Sequence, residues 1–323
     1  MVSLKERFRG SLLGVYAGDS LGAPYEKKSP SYIDEGLAKR GGLVPHRYAD
    51  PWGRSGFFEA GRPTDDTELT AALAVSIVER DGSDPAHQYQ LFREVIGGKS
   101  FIWDGKPDGF GGTTRIMLES PTYEESQARD DKPYIASNGS LMRSAPLGLW
   151  LLGSSEGWQR IVAASSSVTH IHPTAIECCV QYVHLLKALL VGLDRDVAWE
   201  TTRHERIDDP ELAYLLSMEH HELLRPKTTN KWMKTGGPAG SALHTFHIAA
   251  WSLLNAESFA NGLELAVRFS GDTDTAAAVA GGLLGAHYGV EGIPEDWRDA
   301  LIGRDRMIEL ADGLYEKRFG SGT

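Results

Sequence analysis

Asp272, Asp274 and Thr275 lie in the stretch Phe269-Ser270-Gly271-Asp272-Thr273-Asp274-Thr275, which puts two carboxylates and two hydroxyls into four positions. A run of small residues follows, Ala276 to Gly282, and reads as a helix packed very closely on its neighbours. One Asp or Thr caps a helix, so a second carboxylate is surplus to capping. Two anions this close repel unless a cation sits between them. The same chemistry recurs upstream in Pro63-Thr64-Asp65-Asp66-Thr67-Glu68, which opens a helical run from Leu69 to Arg80. Either stretch alone could be an over-dressed cap. Two in one chain point to two helix N-termini that meet and pool their acids around metal. Helix N-termini repel cations, but four full negative charges outweigh about half a positive unit per helix. Carboxylate and hydroxyl oxygens suit a hard ion such as Mg²⁺ or Mn²⁺ rather than zinc.

The elements that must position these acids are helical. Leu4 to Leu21 reads as a helix with Gly10, Gly14 and Gly18 on one side and Gly22 just beyond, so another backbone can approach that face. Its basic start and apolar run faintly imitate a signal peptide, but the run is short, glycine-rich and ends in Asp19, so a core helix is expected. Lys27 to Arg62 reads as a long irregular segment, a loop or lid with Trp52, Phe57 and Phe58 as anchors or as a ligand cover. Further helices are expected over Pro85 to Ile96, from Ser137 to about Leu152, Thr174 to Leu193, Pro210 to Leu224, Ser241 to Leu254, Ser258 to Phe269 and Glu295 to Lys317. His220 and His221 read as surface residues, and Thr235-Gly236-Gly237-Pro238-Ala239-Gly240 as an unspecific glycine-rich loop. There is no strand–helix alternation, repeat or linker, so residues 1–323 read as one compact all-α domain.

Two smaller signals stand between the acid stretches. Ser137-Asn138-Gly139-Ser140 is a turn at a helix start, which either caps the helix or offers backbone N–H groups to a phosphate. His170-Ile171-His172-Pro173 invites zinc, but no Cys/His cluster supports it, and a cap or a donor to a phosphate or ribose hydroxyl fits better. A formal net charge of −11 argues against a nucleic-acid backbone as partner. Cys178 and Cys179, adjacent in an apolar helical run, read as reduced core residues of a cytoplasmic protein. No stretch is long and apolar enough to span a bilayer.

Taken together, Gly18-Asp19-Ser20-Leu21-Gly22, Thr64-Asp65-Asp66-Thr67, Asp108-Gly109 with Thr113-Thr114, Asn138-Gly139-Ser140-Leu141-Met142-Arg143, Thr169-His170 and Gly271-Asp272-Thr273-Asp274-Thr275 resemble the ADP-ribosylglycohydrolase family. The resemblance runs from Arg7 to Gly289. It implies an all-helical fold with two Mg²⁺ or Mn²⁺ ions in a cleft, held by Thr64, Asp65, Asp66, Asp272, Asp274 and Thr275. By the same resemblance Glu26 falls beside the metals, and Asp108 on a loop bordering the scissile bond. Asn138, Gly139, Ser140, Met142 and His170 would hold ADP-ribose. Asp65, Asp66, Glu26 and Asp108 are then the catalytic candidates. The Thr169-His170-Ile171-His172-Pro173-Thr174 form looks more like the arginine-specific branch than the serine-specific one. One departure stands out: Ser241-Ala242-Leu243-His244-Thr245-Phe246 replaces a Tyr-x-x-Asp pattern of many bacterial members.

The expected activity is metal-dependent removal of ADP-ribose from protein side chains, at the N-glycosidic bond of ADP-ribosylarginine. Alternatives are another ADP-ribose linkage (serine, O-acetyl-ADP-ribose, a nucleic-acid or small-molecule conjugate), a metal-dependent phosphohydrolase, or a non-catalytic ADP-ribose-binding relative. The expected partner is an ADP-ribosylated protein or ADP-ribose conjugate, with no membrane and no nucleic acid, and the expected state is a monomer.

Overall fold

Helix α1, Leu4–Gly22, runs through the centre of the protein and is buried from Gly10 to Gly22. Ser3 caps it through a reciprocal pair of hydrogen bonds with Glu6. Its four glycines face a second buried helix of small residues, Thr273–Tyr288. A Cβ at Gly10, Gly14, Gly18 or Gly22 would lie only 2.0–2.4 Å from Gly285 O, Gly281 O, Ala277 O and Thr273 O respectively. The two helices therefore run antiparallel with backbones in direct contact, as the glycine spacing predicts. The C-terminal end of one meets the N-terminal end of the other, and Thr273 Oγ1 donates to Gly22 O at 2.9 Å.

This computed structural model describes residues 2–50, 56–203, 207, 209–218, 226 and 239–320. Trp52, His220, His221 and most of the loop 235–240 lie outside the described residues, and the helix expected over Pro210 to Leu224 instead ends at Leu216, with Ser217 as its C-cap. In chain order after α1 come α2 Pro30–Arg40, a two-residue antiparallel ribbon of β1 Tyr48–Ala49 and β2 Phe57–Phe58, α3 Asp65–Arg80 and α4 Pro85–Ile96. Short helices α5 Gly112–Met117, α6 Tyr123–Ala128 and α7 Ala145–Trp150 follow. Then come α8 Trp158–Ser167, α9 Pro173–Leu190, α10 Arg195–Arg203, α11 Pro210–Leu216, α12 Ala242–Asn255 and α13 Phe259–Val267. The last three are α14 Thr273–Tyr288, α15 Glu295–Ala300 and α16 Arg304–Phe319. The fold is all-α, built as one compact domain around the α1–α14 pair.

Three further expectations need correction. The segment 27–62 is not irregular throughout: Ser29 caps α2, Pro30 opens it and Gly41 closes it with φ 75°. The helix expected from Ser137 begins only at Ala145, because residues 139–143 form turns. The closing helix is two, split where Gly303 adopts φ 79°. Cys178 and Cys179 are buried and unpaired in α9, as expected. No helix among the described residues is long and apolar enough to cross a membrane.

Candidate functional site

The acids converge because α1 makes two unlike contacts at its C-terminal end. Its glycine face holds α14, and Asp19 on the same helix caps α3. Thr64 N and Thr67 N donate to Asp19 Oδ2 at 2.8 and 3.1 Å, and Thr64 Oγ1 donates to Oδ1 at 2.6 Å. Thr67 Oγ1 adds a further bond to Oδ2 at 2.5 Å. A carboxylate from another helix thus satisfies two of the orphan N–H groups that open α3. Asp65 and Asp66 are released from capping. Asp66 Oδ1 is buried without a hydrogen-bond partner.

The opposite half of the cluster sits at the start of α14. Ser270 and Gly271 take φ 64° and 81°, a left-handed pair that turns the chain into the helix. Lys27 N donates to Gly271 O at 2.8 Å, which ties the segment bearing Glu26 to this turn. Oxygens of Glu26, Asp272 and Asp274 lie within 4.8 Å of one another. Asn138 Nδ2 donates to Asp272 Oδ2 at 2.8 Å and to Thr245 Oγ1 at 3.0 Å. Burial raises the pKa of Asp65, Asp66, Asp272 and Asp274, and neighbouring carboxylates raise Asp65, Asp66 and Asp274 further.

These residues line a cleft of about 510 Å³. Its floor is Glu26, Asp65, Asp66, Asp272, Asp274 and Thr275; one wall is Asn138, Gly139, Met142 and His170. Gly109 to Thr114 form the other side, and Phe110, Ile116, Pro133 and Ile135 supply apolar surface. Lys27, with Nζ 3.0 Å from Glu26 Oε1, is the lone Lys or Arg among the described lining residues. A larger hollow, about 750 Å³, lies where Val2, Leu190 and Phe319 come together, but its lining carries no carboxylate among the described residues.

Three residues from the sequence reading stay outside the lining. Thr64 turns its hydroxyl to Asp19 and, at 3.4 Å, to Asp66. Ser140 Oγ accepts from Ser166 Oγ at 2.8 Å and sits 3.4 Å from Cys179 Sγ, beneath the cleft. Asp108 is held by Arg62 Nη2 at 2.6 Å, so the residues after it, not its own carboxylate, reach the cleft. The two histidines of the His-x-His motif part company. His170 lines the cleft, whereas His172 caps α9, accepting from Thr174 N at 3.3 Å, and packs on Tyr134. A zinc pair is not formed.

Asp19, Lys27, Arg62 and Thr245 have no role in the sequence reading. Only Asp19 left a signal: a lone acid inside a run of glycine, alanine and leucine. The segment that departs from the family pattern, Ser241 to Phe246, touches the site through Thr245, which accepts from Asn138.

The donor set fits a hard divalent cation. It is all oxygen, it is crowded with like charge, and Asp66 Oδ1 is bare. The family model for ADP-ribosylglycohydrolase matches residues 1–323. The chain belongs to the ADP-ribosylglycohydrolase family. It is 29% identical to the ADP-ribosylarginine hydrolase Tri1 of Pseudomonas putida, over 97% of this chain and 78% of that protein. It is 26% identical to the ADP-ribosyl-[dinitrogen reductase] glycohydrolase of Rhodospirillum rubrum, over 93% and 91% respectively. Mouse ADP-ribosylhydrolase ARH3 is 26% identical, over 96% and 91%. A solved structure described as an ADP-ribosylglycohydrolase-related protein complex superposes with TM-score 0.76 at 28% identity, covering 98% of this chain and 99% of that one. The ADP-ribosylglycohydrolase is therefore a glycohydrolase-type enzyme acting on ADP-ribose conjugates.

Proposed function

We propose that this ADP-ribosylglycohydrolase cleaves the N-glycosidic bond between ribose and the guanidinium of ADP-ribosylarginine, using two Mg²⁺ or Mn²⁺ ions. The convergence of two acid-bearing helix N-termini and Glu26 at one end of a cleft carries this reading. Asp65, Asp66, Asp272 and Asp274, with Thr64 and Thr275, would hold the ions. Such ions make water a nucleophile near neutral pH and polarise ribose hydroxyls.

The chain's own residues do the rest. Asp66 Oδ1, free of other bonds, orients the attacking water. Glu26, at the cleft end beside Lys27, exchanges a proton with the departing guanidine. Asn138 braces Asp272 and faces the ribose. Gly139, Met142 and His170 take the diphosphate, and the apolar strip from Phe110 to Ile135 covers the purine. Asp108 acts indirectly, since its pairing with Arg62 fixes the loop that precedes Gly109.

The preference for arginine rests on the Thr169-to-Thr174 segment and on relatives named for ADP-ribosylarginine. Relatives named ARH3 at similar identity favour a second reading, another ADP-ribose linkage. Mass spectrometry of an ADP-ribosylarginine peptide, with Mg²⁺ or Mn²⁺ and with chelator, separates these. An ADP-ribosylserine peptide and O-acetyl-ADP-ribose serve as parallel substrates. The expected result is metal-dependent release of free ADP-ribose and unmodified arginine, fastest of the three. Release of inorganic phosphate would indicate a phosphohydrolase, and faster cleavage of either other substrate would reassign the linkage.

A further inference from the structure

Arg143 is a buried charge whose hydrogen bonds go elsewhere than the acid cluster, although the Asp65 carboxylate is near enough to favour its charged form. It is 1% exposed and its guanidinium lies 4.4 Å from the centre of the Phe92 ring. Among the described residues no carboxylate is within ion-pair distance of it. Its partners are neutral: Nη1 donates to Gly139 O at 2.9 Å and Nη2 to Thr169 Oγ1 at 2.7 Å. A buried guanidinium bonded only to neutral oxygens is costly, so its position asks for a reason.

Counting protons supplies one. A guanidinium can only donate, so Thr169 Oγ1 accepts from Arg143. The single hydroxyl proton of Thr169 is then left for its other neighbour, His170 Nδ1, at 2.8 Å. The hydroxyl could accept a second bond as well, but its own proton has no other acceptor among its hydrogen-bond partners, so Nδ1 is the acceptor that satisfies it, and in a neutral imidazole the ring proton then sits on Nε2. Burial, with the Arg143 charge adding to it, pushes His170 down to about 3, so the ring is neutral at physiological pH. Nε2 faces the cleft wall: a Cβ built on Gly139 would lie 3.0 Å from it. The same guanidinium holds the carbonyl of Gly139, which fixes the Gly139–Ser140 peptide with its N–H pointing the opposite way.

We propose that Arg143 and Thr169 are positioning residues that lock His170 as its Nε2–H tautomer and present that group beside Gly139 as a fixed donor to an anionic oxygen of the ligand. Naming that oxygen as one of the ADP-ribose diphosphate rests on the function proposed above; the tautomer lock does not. The relay explains why a threonine precedes the histidine and why the buried cation spends its hydrogen bonds on neutral oxygens. Valine at position 169 would keep the shape and lose the proton path. Serine would keep both.

Long-range ¹H–¹⁵N correlation of His170 in the ligand-free full chain reads the lock directly. The expected spectrum has an unprotonated Nδ1 and a protonated Nε2. Thr169→Val is expected to mix the two tautomers and to weaken ADP-ribose binding about tenfold by calorimetry, raising KM with kcat changed less than about twofold. Thr169→Ser is expected to restore both. A proton on Nδ1 in the wild-type chain would overturn the proposal, and that measurement stands even where Thr169→Val fails to fold. A folded Thr169→Val chain with one Nε2–H tautomer and unchanged affinity would overturn it too. If the wild-type chain bound no ADP-ribose, the proposed function would fail while the spectra still decided the lock.

Discussion

Asp19 and Asp66 are both buried carboxylates, yet they are held in opposite ways. Asp19 accepts four hydrogen bonds from Thr64 and Thr67. Asp66 keeps one buried oxygen with none. An acid surrounded by donors holds the fold, and an acid left bare costs stability until something positive meets it. Asp66→Asn is therefore expected to raise the stability of chelator-treated protein while cutting turnover by at least about a hundredfold. Asp19→Asn is expected to do the reverse to stability, losing about 2–4 kcal/mol, because an amide nitrogen would face donors. Urea titrations in chelator measure both, and equal destabilisation by the two changes would sink the distinction. The paired acids were legible in the sequence because their spacing exceeded what capping needs. Asp19 was not, since its role depends on which helix end it meets, and that is a tertiary fact. Arg62 was hidden for the same reason, since Asp108 lies far along the chain, and so was Lys27, whose backbone N–H reaches Gly271 O across the fold.

At the level of elements, the glycine spacing of α1 is the feature that both sequence and structure agree on, and it decides where the acids sit. A Cβ at Gly18 would stand 2.0 Å from Ala277 O and 2.3 Å from its carbonyl carbon, so a backbone must move. Gly18→Ala is expected to destabilise the protein by about 3 kcal/mol or more and to reduce kcat by displacing α14 and its two acids. Gly82→Ala meets no atom closer than 3.8 Å and is expected to change stability by less than about 0.5 kcal/mol. Thermal melts and single-turnover rates on the two variants test this, and a tolerated Gly18→Ala would mean the helices are not in backbone contact. Helices with strong local signals, such as α4 with Asp84 and Pro85 at its start, were read from sequence with their bounds intact. The missed α2 is mostly exposed and polar, with only Ile33 and Leu37 buried, so its apolar period is faint. The turn at 139–143 displaced a helix start because Arg143 turns inward to Gly139 and Thr169, a choice made by distant chain.

The whole molecule couples the charge of that acid cluster to its stability. Asp65, Asp66, Asp272 and Asp274 have pKa values raised above the ordinary 3.8 by burial, with neighbouring charge adding to three of them. A group raised in the folded state binds its proton more tightly there than in the unfolded chain. Its contribution to stability is complete below the ordinary carboxylate value and is lost as pH rises through the folded value. Asp209 and Asp312 go the other way, lowered by Thr174 and Arg9 against the opposing effect of burial. They lose stability only as pH falls below the ordinary value, so they are silent from about pH 5 upward. In chelator, stability should therefore fall as pH rises above about 5 and the buried acids ionise against one another. Divalent ions bind the ionised cluster and compete with protons for it, so their stabilising effect should grow over the same range. At a hundredfold excess over Kd the gain is about 2.7 kcal/mol. Melting temperatures on a pH series with chelator, Mg²⁺ or Mn²⁺ measure the difference at each pH. The expected increment is smallest at the acid end of the series and grows with pH, and Asp272→Ala should flatten it. An increment that stays constant with pH, or that survives in Asp272→Ala, would show that the ions stabilise the protein somewhere other than between these two helix ends.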